Sequence, residues 1–548
     1  MKFKYWALSL LACGGMLSCT NEDVVDSTGK GETSTSYLAV NILNTSAPGT
    51  RAYPGSGDYE DGNEDESEIK SLRFYLFDAS GNPYTLSSGT NCVAPSYTED
   101  TDADKTSETV EQVGKAVLVI EGSTDTPPAS MVAVINYAPD TEVDDALAGK
   151  TLSELKAYTA DYSSTTDGFV MTNSVYNDAS SFGETSVVGK VEDSSEDAEL
   201  NPVEVYVERV LAKVTVSDGR ESPTTAGTFL VSGTEGDLDA VYAVINGWQV
   251  ADYNTKSYIL KNINKTWTDD GLGITPWSSL DYHRSFWATS VPFGADNVAG
   301  NYSWENISTA LGSAVYTQEN TPTAALTSEN PATDNTLTKV IVAATLMKKG
   351  NDGILKEAPK YTLYGADYAS ENDVLTEIAG KYANTYFTRT GDGSTTSYTY
   401  KSISKDDLEF KTPKDLNDES IESYYVVAQL KSGVTVYEKS GNDYVDATTG
   451  CNTDLKTVRA KVWNGGKTYY FTTIQHLGGD GDVAEYGVVR NHSYKVNIEN
   501  IQGFGTPVYD PTETIIPVIP TDQQSYIAAR INVLSWRVVN KDVTLGGE

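Results

Sequence analysis

The sequence predicts a mainly β protein. Short segments rich in Thr, Ser, Val and Tyr alternate apolar and polar residues, with the period of half-buried strands. Tyrosine is abundant, at 35 residues, and long helical apolar patterns are scarce. Clusters of Gly, Pro, Asn and Asp separate the segments as turns do. A chain of 548 residues holds several cores, about two to four domains on length alone. Its formal net charge is -37, from 77 acidic and 40 basic residues. That argues against nucleic acid and anionic membrane surfaces as partners, since both require a basic face.

Residues 1–19 read as a targeting segment. Lys2 and Lys4 precede an apolar stretch that runs from Tyr5 to Leu17 and is too short to span a membrane. Met16-Leu17-Ser18-Cys19 resembles a bacterial lipobox, in which the cysteine is acylated and becomes the new N-terminus. Cys13 is the competing site, and an ordinary cleaved secretory signal is the other reading. Thr20 to Asp23 turn polar and acidic at once, as in the surface-export signal that follows the lipid cysteine in Bacteroidetes lipoproteins. Cys92 and Cys451 remain after maturation and read as two isolated thiols.

Residues 20–35 form a polar tether. Tyr37 to Leu43 is a strand with Leu38, Val40 and Ile42 on one face. A loop rich in Pro, Gly and acid follows from Asn44 to Glu68, and Arg51 is the one basic residue in it. Arg51 is either an ordinary loop residue or a site for an arginine-specific protease, which needs exposed chain. Strands are expected at Leu72–Phe77, Ala116–Ile120 and Met131–Asn136. A short helix is expected from Leu152 to about Ala160, because Thr151 and Glu154 make a capping box. Pro202 to Val216 alternates and changes face at Arg209 and Val210, and a domain boundary is expected near Asp218 and Gly219.

Further strands are expected at Asp239–Asn246, Thr338–Met347, Tyr361–Tyr364, Tyr424–Leu430, Val434–Lys439, Leu455–Trp463, Tyr469–Ile474 and Tyr494–Ile498. Asn464-Gly465-Gly466 reads as a hairpin turn. A helix is expected near Val374–Ala383, and a protruding polar loop from Thr388 to Glu419. A Pro- and acid-rich spacer, Pro507 to Gln524, leads to the stretch Tyr526–Leu545. There Ile527, Ala529, Ile531 and Val533 alternate, then the apolar positions switch to Leu534, Trp536 and Val538. The switch predicts a bulge or bend. This stretch is either the last strand of its own sandwich or a strand offered to another molecule.

Catalytic chemistry finds little support. His283, His476 and His492 are isolated in sequence, and no phosphate loop, dinucleotide fingerprint or serine elbow is present. Asp58 to Glu68 reads as a solvated charge run and lacks EF-hand spacing for calcium. Trp248, Trp267, Trp277, Trp287 and Trp304 are core residues or, if exposed, a platform for sugars. No cofactor or metal is expected.

Several stretches resemble one family, the fimbrial subunits of Bacteroidales type V pili (FimA- and Mfa-like). They are Phe169-Val170-Met171-Thr172-Asn173-Ser174, Tyr316-Thr317-Gln318-Glu319-Asn320-Thr321 and Tyr486-Gly487-Val488-Val489-Arg490-Asn491-His492-Ser493-Tyr494. The last leads into Ile498, Ile501, Gly503, Gly505 and Pro507 in the family's order. The placement of Arg51-Ala52 and the C-terminal strand with Trp536 are similar too. The resemblance implies two tandem transthyretin-like β-sandwich domains with a C-terminal donor strand. It implies a lipoprotein signal peptide at 1–19 with Cys19 lipidated. A propeptide at 20–51 would be removed by an arginine-specific protease between Arg51 and Ala52. The N-terminal sandwich would span 52–218, the C-terminal sandwich 219–506, and the spacer with donor strand 507–548. Removal of the first strand would open a groove for the donor strand of another subunit.

The resulting expectation is a structural, non-enzymatic pilus stalk subunit that polymerises by protease-triggered donor-strand exchange, for adhesion and biofilm. Its partners are other copies of itself, accessory tip and anchor pilins, and the outer membrane of a Gram-negative cell through the precursor's lipid. A tip protein should carry an extra ligand-binding domain. The alternatives are a surface glycan-binding lipoprotein and a carboxylate hydrolase on a β scaffold. The lipid site has a direct check. Labelling with a fatty-acid analogue should be lost in Cys19→Ala. Equal labelling would refute the site, and loss only in Cys13→Ala would move it.

Overall fold

A computed structural model describes residues 33–45, 63–96, 98–99, 110–123, 126–137, 145–173, 183–262, 288–294, 298–322, 336–391, 398–476, 485–515, 517, 526–535 and 537–540. The chain is mainly β, as expected. The N-terminal unit contains β1 (Thr33–Thr45), α1 (Glu64–Ser67), β2 (Leu72–Phe77), β3 (Val110–Ser123), β4 (Ser130–Ile135), α2 (Leu152–Lys156), β5 (Met171–Asn173), α3 (Ser195–Leu200) and β6 (Val203–Arg209). Its sheet runs β2, β4, β5, β6, β1, β3, with two-residue strands at Cys92–Val93, Thr98–Glu99 and Thr185–Ser186 beside it. Strands from both ends of this order share one core, with Phe74 and Leu76 of β2 in the same cluster as Leu118 and Ile120 of β3. β2 is buried at every position, because both of its faces are covered.

Helix α2 has the expected capping box, with Thr151 Oγ1 accepting from the Glu154 N–H and Glu154 accepting from the Thr151 N–H. It ends before Ala160, because Thr159–Ala160 pair as a strand with Ser257–Tyr258.

The stretch 202–216 is two strands, β6 and β7 (Ala212–Asp218). The change of face at Arg209 and Val210 is where the chain leaves one sheet for another. Val210 and Leu211 still pack in the first core, and Ala212 begins the second. The chain continues through β8 (Thr228–Ser232), β9 (Val241–Ala251), β10 (Ala314–Thr317) and β11 (Lys339–Lys349). It then enters a further unit made of β12 (Lys360–Leu363), α4 (Glu371–Tyr382), β13 (Tyr386–Thr390), β14 (Thr399–Ser402), β15 (Leu408–Lys411), β16 (Val426–Leu430), β17 (Val436–Ser440), β18 (Asp443–Asp446), α5 (Thr448–Leu455) and β19 (Arg459–Trp463). It returns as β20 (Lys467–Thr473), β21 (Ser493–Gln502), β22 (Tyr526–Ser535) and β23 (Arg537–Asn540).

The second sandwich packs the sheet β10-β7-β21-β22-β23 against β8-β9-β11-β20. Val214, Val216, Tyr494, Val496 and Ile498 of the first meet Trp248, Val250, Val340, Val342 and Tyr470 of the second. Asn464-Gly465-Gly466 does form a turn before β20, but not the expected hairpin, because β19 and β20 belong to different sheets. Gly465 (φ 59°) and Gly466 (φ 76°) both occupy the left-handed region, and a Cβ on Gly466 would lie 2.5 Å from the Leu346 carbonyl oxygen.

The unit between β11 and β20 was not read from the sequence. It has its own core, in which Val374, Ile378 and Leu455 of the two helices pack on Leu363, Val426, Ala428, Val436 and Val462. The expected loop Thr388–Glu419 holds β14 and β15 and part of β13. Its strands were hidden because β13 and β14 are mostly Thr, Ser, Tyr and Lys with one face in solvent. The expected strand Leu455–Trp463 begins only at Arg459, since Leu455 closes α5. Cys451 lies buried in this unit and Cys92 half-buried in the first, both as free thiols. Burial pushes each up to about 12, with nearby carboxylates adding to the effect.

Candidate assembly site

The three family-like motifs are far apart in sequence and meet at one place, the junction of the two sandwiches. Arg490 is fully buried, and its Nη2 lies 2.6 Å from Glu319 Oε2. The Arg490 N–H donates to Glu319 Oε1 at 3.2 Å. Nη1 donates to the Ile259 carbonyl at 3.0 Å and Nη2 to the Tyr258 carbonyl at 2.6 Å. Ile259 belongs to the core of the N-terminal unit, and its carbonyl also accepts from Thr172 Oγ1 at 2.9 Å. One guanidinium therefore ties together three segments. Burial alone would lower its affinity for a proton, but Glu319 outweighs that and raises it. Asn320 and Val488 exchange backbone hydrogen bonds of 2.9 and 2.8 Å. Tyr316 packs edge-on against Phe169, with ring centres 4.6 Å apart.

A second buried cluster lies beside it. Glu66 is 1% exposed and accepts from the Tyr316 hydroxyl and, at 3.0 Å, from Lys213. Arg209 Nε donates to the Glu66 carbonyl at 2.7 Å. Burial pushes the Glu66 carboxyl up, but hydrogen bonds from Tyr316, the Asn63 N–H and Lys213 win and hold it below the usual range. Glu66 was read as part of a solvated acidic run. Its position three residues after Asn63, which completes a capping box, is the signal that marks it as ordered.

His476 and His492 were read as isolated, but their ring centres lie 5.1 Å apart in the buried junction. Tyr494 hydroxyl bonds His476 Nδ1 at 2.9 Å and accepts from the Val489 N–H at 2.9 Å. Burial above all, with electrostatic repulsion from the His492 and Lys261 side, holds His476 well below its usual value. Both rings are structural here. Among the described residues, no group of three or more His, Cys, Asp or Glu side chains is placed to hold a metal ion. Trp248 is fully buried and Trp304 donates Nε1 to the Thr468 carbonyl at 2.8 Å, so neither builds an open sugar platform. Trp267, Trp277, Trp287 and His283 lie outside the described residues.

Two strands relate to assembly. β1 is an inner strand, parallel to β6 (Val40 opposite Val203) and antiparallel to β3 (Leu38 opposite Leu118). Its Leu38 and Val40 are fully buried. The Tyr37 N–H and carbonyl also exchange hydrogen bonds with Glu192, at 2.7 and 2.9 Å. β22 carries Ile527, Ala529, Ile531, Val533 and Leu534. It pairs antiparallel with β21 of its own chain, from Ile501 opposite Ile527 to Ser493 opposite Leu534. The switch of apolar positions after Val533 is a chain reversal, not a bulge in one long strand. Ser535 pairs with Arg537, and Leu534 with Val538 in β23. Cys19, Arg51, Ala52 and Trp536 lie outside the described residues.

Residues 36–209 match the family model described as major fimbrial subunit protein (FimA). Residues 461–542 match that of the major fimbrial subunit protein type IV, fimbrillin, C-terminal. Among solved structures, a putative cell adhesion protein from Parabacteroides distasonis is 12% identical, with 93% of this chain and 100% of that chain covered and a TM-score of 0.39. A fimbrilin from Porphyromonas gingivalis is 14% identical, with 93% and 99% covered and a TM-score of 0.35. The tip fimbrial protein Mfa3 of the same organism is 14% identical, with 67% and 100% covered and a TM-score of 0.27. No curated protein matches the chain. The expected resemblance to fimbrial subunits is borne out over these two segments.

The junction has two measurable signatures. Glu319→Gln leaves Arg490 buried without its counter-charge, and breaking such a pair costs about 3–5 kcal/mol. Chemical denaturation should show that loss, and an unchanged midpoint would contradict the role given to the pair. Glu66 has a depressed folded value, so its contribution is present above the unfolded value of about 4.3 and fades as pH falls below it. Melting scans from about pH 6 to 3 should flatten in Glu66→Gln. A wild-type acid slope in that variant would contradict the assignment.

Proposed function

We propose, from the premise that the N- and C-terminal segments are those of a fimbrial subunit, that this chain polymerises into a surface pilus by exchanging strands. The precursor reaches the outer membrane as a lipoprotein through Cys19. An arginine-specific protease cuts between Arg51 and Ala52, and β1 then leaves. The strand region Tyr526–Leu545 of the next copy enters the vacated seat, and accessory tip and anchor pilins complete the fibre. The resulting fimbrium serves adhesion and biofilm.

The observation that carries this reading is the position of β1. It is an inner strand, and the candidate cleavage loop follows it directly. Its loss would unpair the edges of β6 and β3 and uncover Leu118, Ile120, Val203, Val205 and Val207. Refilling two pockets such as those of Leu38 and Val40 regains roughly 1.5–3 kcal/mol each. Backbone bonding adds roughly 0.5–1.5 kcal/mol for each hydrogen bond. The alternating apolar residues Ile527, Ala529, Ile531 and Val533 match what such a seat requires. In the unassembled chain β22 rests on β21, so it must leave that ladder to be donated.

A stalk role follows from the cleavable first strand together with the donor-like tail. One observation favours a second reading. The unit between β11 and β20 is an additional domain of the kind expected at a tip. A tip subunit would accept a strand and donate none, so the tail separates the two roles.

Surface material should begin at Ala52 on N-terminal sequencing, and Arg51→Ala should keep the precursor uncut. Protease-treated wild type should give polymers. Ile531→Asp and deletion of 526–548 should leave a folded monomer that forms none. Polymers that persist in the deletion would refute the stalk reading, as would a mature chain starting at Cys19 within the fibre. Global unfolding of the deleted monomer would assign β22 to its own sandwich instead.

A further inference from the structure

The unit between β11 and β20 presents a sheet face that strand exchange does not use. β14, β13, β17 and β18 form a four-stranded antiparallel sheet. Tyr386 and Val436 are buried on one side, in the core built around α4 and α5. Alternation along the strand sends Phe387 and Arg389 to the other side. The register sets Phe387 opposite Tyr437 and Arg389 opposite Tyr400. Tyr400 and Tyr444 stack with ring centres 3.7 Å apart. Phe387 meets Tyr444 edge-on at 5.4 Å, and Tyr437 meets Tyr400 edge-on at 5.6 Å. The guanidinium carbon of Arg389 lies 4.1 Å from the centre of the Tyr398 ring and 4.7 Å from that of Tyr437. Arg389 is exposed, and Tyr398 keeps 41% of its surface in solvent.

Two rings hold this guanidinium in place through cation–π attraction and stacking. Four other arginines have acidic partners. Arg73 pairs with Asp145, Arg220 with Asp218, Arg459 with Glu422 and Arg490 with Glu319. Among the described residues, no carboxylate lies within ion-pair distance of Arg389 and no protein acceptor takes its N–H groups. In a chain with 77 acidic residues, an exposed and immobilised guanidinium with free donors is set for an anion from outside.

We infer that this face binds a glycan whose terminal sugar carries a carboxylate. The guanidinium fork matches a carboxylate through two parallel hydrogen bonds. The half-exposed tyrosines around it offer apolar rims to the C–H surfaces of the sugar ring and hydroxyls to its oxygens. One acidic sugar fits better than a polyanion, because the net charge of -37 repels an extended chain of like charge. The site lies apart from β1 and β22, so binding needs neither cleavage nor polymer.

The test uses the full, unassembled chain on an array of glycans in about 0.15 M salt, where long-range charge effects are screened. The array carries uronate- and sialic-acid-terminated glycans, their neutral parents and sulfate-terminated analogues. Retention on the carboxylate-terminated set should exceed that on the neutral parents by about tenfold or more. It should be lost in Arg389→Gln and weakened in Tyr398→Ala. Both positions are exposed, so the melting temperature should stay at the wild-type value and separate lost binding from lost fold. Retention on no glycan, equal retention on neutral parents or on sulfates, or full retention by a folded Arg389→Gln variant would each overturn the inference.

Discussion

The ion pair between Arg490 and Glu319 is the contact on which the arrangement of the two sandwiches depends. It is fully buried, so its charges are tolerable only because every nearby group is arranged around them. The carbonyls of Tyr258 and Ile259 accept from Nη2 and Nη1, and Thr172 reaches the same Ile259 carbonyl from the N-terminal sheet. Asn320 and Val488 then lock the two motif segments backbone to backbone. These contacts make a packed elbow between the two sandwiches. Such a joint would suit the proposed pilus subunit, which must transmit load.

Around that elbow the two sandwiches repeat one local plan. In the first, β1 runs parallel to the last strand, β6, and antiparallel to β3. In the second, β7 runs parallel to β21 and antiparallel to β10. The seats are equivalent, but their occupants are not. β7 follows β6 after two residues and is anchored on both sides by buried side chains, so it cannot be withdrawn without dismantling the elbow. β1 is joined covalently to the strands that follow only through the segment that contains Arg51, and otherwise by its ladders to β6 and β3 and its bonds to Glu192. Glu66, held by Tyr316, Lys213 and Arg209, fastens the chain just beyond that segment. In the proposed maturation, a cut upstream of Glu66 would detach β1 from the covalent chain while β2 and the junction stay fastened.

Most strands of the two sandwiches were legible because each buries one face or both and alternation or continuous apolar runs report it; the short Met171–Asn173, Thr228–Ser232 and Ala314–Thr317 were not. Leu72–Phe77 was read residue for residue. The capping box at Thr151 and Glu154 fixed α2 in the same way. The further unit was missed for a physical reason: its outer sheet is made of Thr, Ser and Tyr with one side in water, and such strands look like loop. The helix near Val374–Ala383 and the strands at Tyr361–Tyr364, Tyr424–Leu430, Val434–Lys439 and Leu455–Trp463 were legible there, but not that they close a core of their own. The junction was visible as three short motifs but not as a site. Nothing in their spacing says that Glu319 and Arg490 touch. The pairing of His476 with His492 was likewise invisible, because it rests on two segments brought side by side by the sheet. The reversal at Ser535 to Arg537 showed as a change of apolar parity, which a bulge would also have produced.

The account turns on which strand fills the seat between β6 and β3 in the mature fibre. A density map of the polymer, at a resolution that traces side chains, reads this directly. The account predicts that residues 33–45 are gone and that part of 526–545 from the adjoining subunit lies between β6 and β3. A fibre in which each subunit keeps its own Thr33–Thr45 in that seat, with β22 still paired to β21, would contradict it.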